Sequence, residues 1–240
     1  MGATTLPRNA LDAALAWRPM EFGSRPARDV RNPIVEPAWN GPRVLVLVTG
    51  SNVDIRDERG DRPAVAVDLA RAIAAAVAVT GTETAILDGH LTAAPMRGTV
   101  GVGVGLEALD GLRPADMGRQ LLLGGSNRRD RRRDRLEADL ARRAPIPAEG
   151  PVAFVAIDLL WIDDTPLVDV PLLERKRLLE SVLAESEPVR TSVHVRPPLE
   201  AWYGQWRAFG FREVAVRDAN GRYRPGERAD DWATALIPRG

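Results

Sequence analysis

Few groups in this sequence could do chemistry. All but one of its 33 basic residues are arginine, and the single lysine is Lys176. Arginine keeps its proton near neutral pH and is a poor nucleophile. A mechanism built on an attacking amine therefore has one candidate. Lys176 lies in Glu174-Arg175-Lys176-Arg177, on what reads as the charged, solvated face of a helix. The absence of cysteine excludes disulfides, thiolate metal sites and a cysteine nucleophile. His90 stands one glycine away from Asp88, and His194 has no motif around it. Both read as surface or satisfied histidines, and no metal site is expected.

Two stretches could meet phosphate. Thr99 to Leu106, TVGVGVGL, alternates glycine and valine. It lacks the Gly-Lys-Ser/Thr ending of a P-loop and the GxGxxG spacing, so it reads as a strand against a close neighbour. Ser126 to Arg143 reads as a helix with eight arginines against four acids. One reading is a solvated, salt-bridged surface. The other is a nucleic-acid-binding face carried by Arg128, Arg129, Arg131, Arg132 and Arg133. Formal net charge is zero, so only such a local patch could attract nucleic acid.

The elements that must position these groups follow from hydrophobic period. A short helix is expected at Asn9–Trp17. Arg43 to Thr49, RVLVLVT, reads as a buried strand, followed by a turn at residues 50–52. Val65 to Val79 is Ala-rich with helical spacing. Thr84 to Leu91 reads as a strand broken by a turn at Asp88-Gly89. Pro151 to Ile162 is a buried strand. Pro171 to Ala184 is an amphipathic helix with Leu172, Leu173, Leu178, Leu179, Val182 and Leu183 as its apolar stripe. A short helix at Trp202–Phe209 and a strand at Glu213–Arg217 complete the pattern. Strands and helices interleave without regular βαβ spacing, which implies an α+β fold in one domain spanning 1–240. Met1 to Arg18 has no continuous apolar core, and no run approaches the roughly 18 apolar residues of a membrane span. A soluble cytoplasmic protein is expected.

Five segments, in order, are similar to the motifs of ATP-dependent DNA ligases, specifically the bacterial repair-type group. They are Glu36-Pro-Ala-Trp-Asn-Gly-Pro-Arg43; Ser51 to Ile73; Ile86-Leu-Asp-Gly-His-Leu91; Phe154 to Ile162 with the PLLERKRLLESVL that follows; and Arg212-Glu-Val-Ala-Val-Arg217 with Tyr223-Arg-Pro-Gly226 and Asp231-Trp232. Residues 95–150 find no match. The resemblance implies an adenylation-domain fold, two mainly antiparallel sheets flanked by helices with the nucleotide between them. The family's second, OB-fold domain would begin near Gly240, so none is expected in this chain.

The resemblance also implies roles, and many of them are lost. Ala38 stands where the family's lysine takes AMP from ATP, and Asn40 where it has an acid. His90 replaces a carboxylate. Arg212 falls on the metal-binding glutamate and Arg217 on a phosphate-binding lysine. Thr234 and Leu236 replace two further lysines, and Ile157 replaces the aromatic that stacks on adenine. Glu36, at the adenine-reading position, is retained, as are Trp39, Gly41, Arg43, Asp88, Asp158 and Trp232. These residues are the vestiges of a site for ATP and Mg, and neither cofactor is expected to be used. The first expectation is an inactive adenylation domain kept as a binding or scaffold protein, with DNA or a DNA-repair protein as partner. The alternatives are a working ligase or nucleotidyltransferase with a non-standard residue, and a protein–protein module with no nucleic-acid role.

Overall fold

The computed structural model describes residues 9–92 and 153–238. The glycine-valine segment at 99–106 and the Arg-rich helix expected at 126–143 lie outside them. Four α-helices are described: α1 Asn9–Ala14, α2 Val67–Ala78, α3 Leu172–Val182 and α4 Glu200–Ala208. The strands are β1 Glu21–Phe22, β2 Pro33–Pro37, β3 Arg43–Thr49, β4 Asn52–Asp57, β5 Thr84–Thr92, β6 Ala153–Ile162, β7 Thr165–Pro166, β8 Val189–Thr191, β9 Glu213–Asp218, β10 Arg228–Ala229 and β11 Trp232–Leu236.

They form the α+β arrangement that the sequence implies. The large sheet runs β4-β3-β5-β6-β7 and is antiparallel throughout, with β8 added parallel to β6. The small sheet, β11-β9-β2, is antiparallel with β9 at its centre. A short parallel ribbon joins β1 to β10. No helix among the described residues is long and apolar enough to cross a membrane.

Strands β3, β5 and β6 are buried along nearly their whole length. Both of their faces are covered, which is why they read as continuous apolar runs rather than alternating ones. One face carries Val44, Val46, Leu87 and Leu159 into a core with α2 and α3. Helix α2 places Leu69, Ile73, Ala76 and Val77 on that core at helical spacing. The other face of the large sheet meets the small sheet, and there the chemistry lies. The connection from β2 to β3, residues 38–42, leaves the small sheet and enters the large one.

Three expectations are corrected. Asp88-Gly89 is not a turn: β5 runs unbroken through it, and Gly89 pairs with Ala156. Glycine is needed there because a Cβ would collide with the Val155 carbonyl oxygen and the Phe154 ring. Gly41, by contrast, does serve a turn, at φ +102°. The N-terminal helix is shorter than expected, since Ala16 and Trp17 close it with hydrogen bonds to Ala13 and Ala14 outside the α-helical span. The third correction concerns α3, whose buried stripe is Leu172, Arg175, Lys176, Leu179 and Val182. Its middle is charged.

Gly89→Ala is expected to destabilise the domain by about 1–3 kcal/mol through overpacking between β5 and β6. Urea unfolding would show this as a lowered midpoint. An unchanged midpoint would mean that the two strands separate freely.

Candidate functional site

Two carboxylates face each other at the centre of the large sheet. Asp88 on β5 and Asp158 on β6 are direct cross-strand partners, and both are fully buried. Like charges directly opposite are destabilising, so each needs its own cation. Arg43 supplies one: its Nε donates to Asp88 Oδ1 at 2.9 Å and its Nη2 to Oδ2 at 2.5 Å. Arg175 supplies the other, with Nε to Asp158 Oδ1 and Nη2 to Oδ2, both at 2.8 Å. Both pairs are two-pronged, the geometry that arginine favours with carboxylates. Tyr223 Oη donates a third bond to Asp88 at 2.7 Å and accepts from the Met20 amide at 2.9 Å. Burial opposes the charges on Arg43 and Arg175, but Asp88 and Asp158 outweigh it, and both guanidiniums rise above their usual pKa. Burial also pushes the Tyr223 phenol well up, aided by Asp88.

A third carboxylate comes from the small sheet. Glu36 on β2 pairs in register with Ala215, and Arg217 on β9 pairs with both Ile34 and Trp232. Alternation places Ile34, Glu36, Glu213, Ala215, Arg217, Trp232, Thr234 and Leu236 on one face of the small sheet. Two cations clasp Glu36: Lys176 Nζ contacts Oε1 and Arg217 Nη2 contacts Oε2. Arg217 Nη2 also donates to the Ile157 carbonyl at 3.3 Å. That carbonyl is presented by a register irregularity in β6 that leaves Ile157 without a partner on β5. Trp232 lies between the two sheets' arginines, 4.8 Å from the Arg217 guanidinium and 5.1 Å from that of Arg43. Glu36, Lys176 and Arg217 are each 1% exposed.

This corrects the sequence reading of Lys176 as solvated. The signal was available in the spacing: positions 175 and 176 stand three and four residues after Leu172, and Leu179 follows one heptad after Leu172. They fall on the buried stripe whatever their charge. Burial pushes Lys176 down to about 7 and Arg217 down to about 9. It also lowers His194 to about 4, with help from the positive charges of Lys176 and Arg196.

The structure brings Glu36, Arg43, Ile157 and Arg217 together and leaves other expected site residues outside. Ile157 is buried in an apolar cluster with Val35, Trp39 and Val155. Trp39 donates from Nε1 to Ser192 Oγ at 2.9 Å and packs edge-on against Phe211. His90 Nδ1 lies 3.2 Å from the Gly41 carbonyl. Ala38 is half-buried, its amide bonded to the Glu213 carbonyl at 3.0 Å. Asn40 and Arg212 are exposed. The Arg128, Arg129, Arg131, Arg132 and Arg133 cluster lies outside the described residues. A shallow depression lies farther along the same face of the large sheet, between Trp17, Leu47, Asp54 and Arg56, and takes in none of these groups.

Ala38 carries no amine that could attack a phosphate, and at His90 and Arg212, where the resemblance implies carboxylates that hold a cation, there is none. No group of three or more His, Asp or Glu side chains able to hold a metal occurs among the described residues.

The two sheets thus hold their central charges paired with one another. A family model described as "ATP dependent DNA ligase domain" matches residues 121–234, and so takes in part of the 95–150 stretch in which the motifs found no match. DNA ligase 2 of Methanosarcina mazei is 30% identical over 90 residues, 34% of this chain and 16% of that protein. The DNA ligase of Thermococcus fumicolans is 26% identical over 217 residues, 89% of this chain and 32% of that protein. The ligase domain of LigD from M. tuberculosis superposes with a TM-score of 0.59 at 20% identity, over 92% of this chain and 60% of that one. The chain thus spans a third or less of these two curated relatives. In sequence and in fold it resembles the adenylation domain of ATP-dependent DNA ligases.

Arg175→Met is expected to cost about 3–5 kcal/mol, because it leaves Asp158 charged and buried beside Asp88. Adding Asp158→Asn should recover part of that loss. Chemical denaturation of the single and double variants checks both, and equal stability of wild type and Arg175→Met would contradict the pairing.

Proposed function

We propose that this domain no longer transfers a nucleotide and serves as a binding or scaffold protein in DNA transactions. The observation that carries this reading is the buried ion pair between Glu36 and Arg217. The resemblance assigns those positions to adenine and to phosphate, and here each satisfies the other. A nucleotide entering between the sheets would have to break a buried charge pair and displace Lys176 and Ile157. Removing one partner from such a pair costs about 3–5 kcal/mol, comparable to half the free energy of a micromolar complex. Ala38 supplies no nucleophile for the chemical step even if a nucleotide entered.

DNA remains the favoured partner. Its relatives are named as DNA ligases, and Arg128 to Arg133 form the densest positive run in a chain of zero net charge. Such contacts would be made mainly to phosphates and would carry little sequence preference.

Two outcomes are expected. Incubation with ATP and Mg²⁺ followed by intact-mass analysis should yield no AMP adduct, and calorimetry should find no micromolar affinity. Ala38→Lys alone should not restore either, since Asn40, His90, Arg212, Thr234 and Leu236 remain. A stable AMP mass increase on any residue would overturn this reading. For DNA, neutralising six phosphates would give a log–log salt slope of about −5 on duplex. Replacing Arg128, Arg129, Arg131, Arg132 and Arg133 by Gln should flatten that slope and weaken binding. Unchanged affinity and slope in a folded variant would remove DNA contact from this segment.

A further inference from the structure

This sequence has one lysine among 33 basic residues, so Lys176 is its single side-chain amine. Every other basic residue is an arginine, which keeps its proton and is a poor nucleophile. Lys176 is 1% exposed. It stands four residues after Leu172 and three before Leu179, both of them buried. The winding of α3 therefore turns all three to the interior. The Lys176 Nζ meets Glu36 Oε1, which β2 brings in from the small sheet, and Arg217 holds the other oxygen of that carboxylate. The next residue on the helix faces outward: the side chain of Arg177 is 72% exposed. Helix α3 thus hides the one ε-amine of the chain and shows an arginine beside it.

We infer that Lys176 is a conditional acylation site: the folded domain offers no ε-amine to an activated ester or thioester, the amide forms only on molecules in which α3 and β2 have parted, and it then keeps them from closing. The reaction is acyl transfer. The free amine attacks the acyl carbon, a C–N bond forms, and the C–O or C–S bond of the donor breaks. The alcohol or thiol leaves with the proton that the nitrogen gives up. Such an attack needs an open approach to the nitrogen. With Lys176 buried and Glu36 against its Nζ, that approach exists only after local opening.

Acylation also works against reclosure. The nitrogen then carries added atoms and no charge. Glu36 loses one of its two cations, and the new bulk has to fit beside three residues that are each 1% exposed, Glu36, Lys176 itself and Arg217. Overfilling a packed interior is destabilising, so the modified chain favours the open form. Burial and the lysine count carry this, whether or not the domain binds DNA.

The test treats the full chain with the N-hydroxysuccinimide ester of acetic acid, with and without denaturing urea. Peptide mass spectrometry reads acetylation of Lys176 apart from that of any α-amine. In urea Lys176 should react completely. In native buffer its rate should fall by about 10³-fold or more, the range of opening equilibria of stable domains. A native rate within about tenfold of the unfolded one would overturn the proposal. Arg177→Lys supplies the control, since the amine introduced there should react in the native protein while Lys176 stays unmodified. Equal native rates at the two positions would refute the conditional site, and should that variant fail to fold, the wild-type rates still decide. Chain acetylated in urea and returned to native buffer should refold poorly or melt at a lower temperature than chain treated in the native state. Refolding to the same melting temperature would refute the block on closing.

Discussion

Three carboxylates that meet buried cations between the two sheets constrain much else in this domain. Asp88 and Asp158 are forced opposite each other by the pairing of β5 with β6, and Glu36 is brought in by β2 from the other side. Each is affordable inside protein only if it meets a cation with good geometry. That requirement fixes where Arg43 must point from β3, why α3 must lie with Arg175 and Lys176 facing inward, and why β9 presents Arg217 to the seam. Trp232 completes the arrangement as an apolar body between two guanidiniums. The two sheets are therefore joined by charge pairs at their centre and by apolar side chains around them.

This arrangement gives the retained motif residues a use that needs no ligand. Arg43 is spent on Asp88 and the Met20 carbonyl, at 2.5 Å from the latter. Glu36 is spent on Lys176 and Arg217. Ile157, at the position of a stacking aromatic, fills space beside Val35 and Val155. On the proposed function, a cleft that could close around a nucleotide has closed around its own side chains. The same residues that make the sequence look like a ligase then act as core.

Much of the fold was legible because β3, β6 and α2 carry strong apolar periods, and the ordered motifs fixed the architecture. Three things were not. Asp88-Gly89 has the composition of a turn, but the glycine answers a close approach of Phe154 and Val155, which only tertiary packing reveals. Strands β2, β4, β8 and β11 are short or mixed in polarity, so pairing rather than propensity makes them strands. Arg175 and Lys176 were assigned outward because charge was weighed above position. Their spacing from Leu172 and Leu179 already put them inside, and Asp158 in a run of apolar residues already required a buried cation nearby.

The contrast between buried and exposed positions has a physical explanation. Ala38 is half-buried, and Asn40 and Arg212 are exposed, so a change of residue at any of them leaves no charge stranded in the interior. Glu36, Arg43, Asp88, Asp158 and Arg175 lack that freedom. Replacing any one of them strands its partner in a medium where an unpaired ion costs several kcal/mol, a large share of the roughly 5–15 kcal/mol that holds a typical domain folded. A domain of this design can change its exposed and half-buried positions without consequence for folding, yet cannot shed the charged residues at its centre one at a time. Motif residues inside the seam therefore say what holds the fold together, whatever else they do.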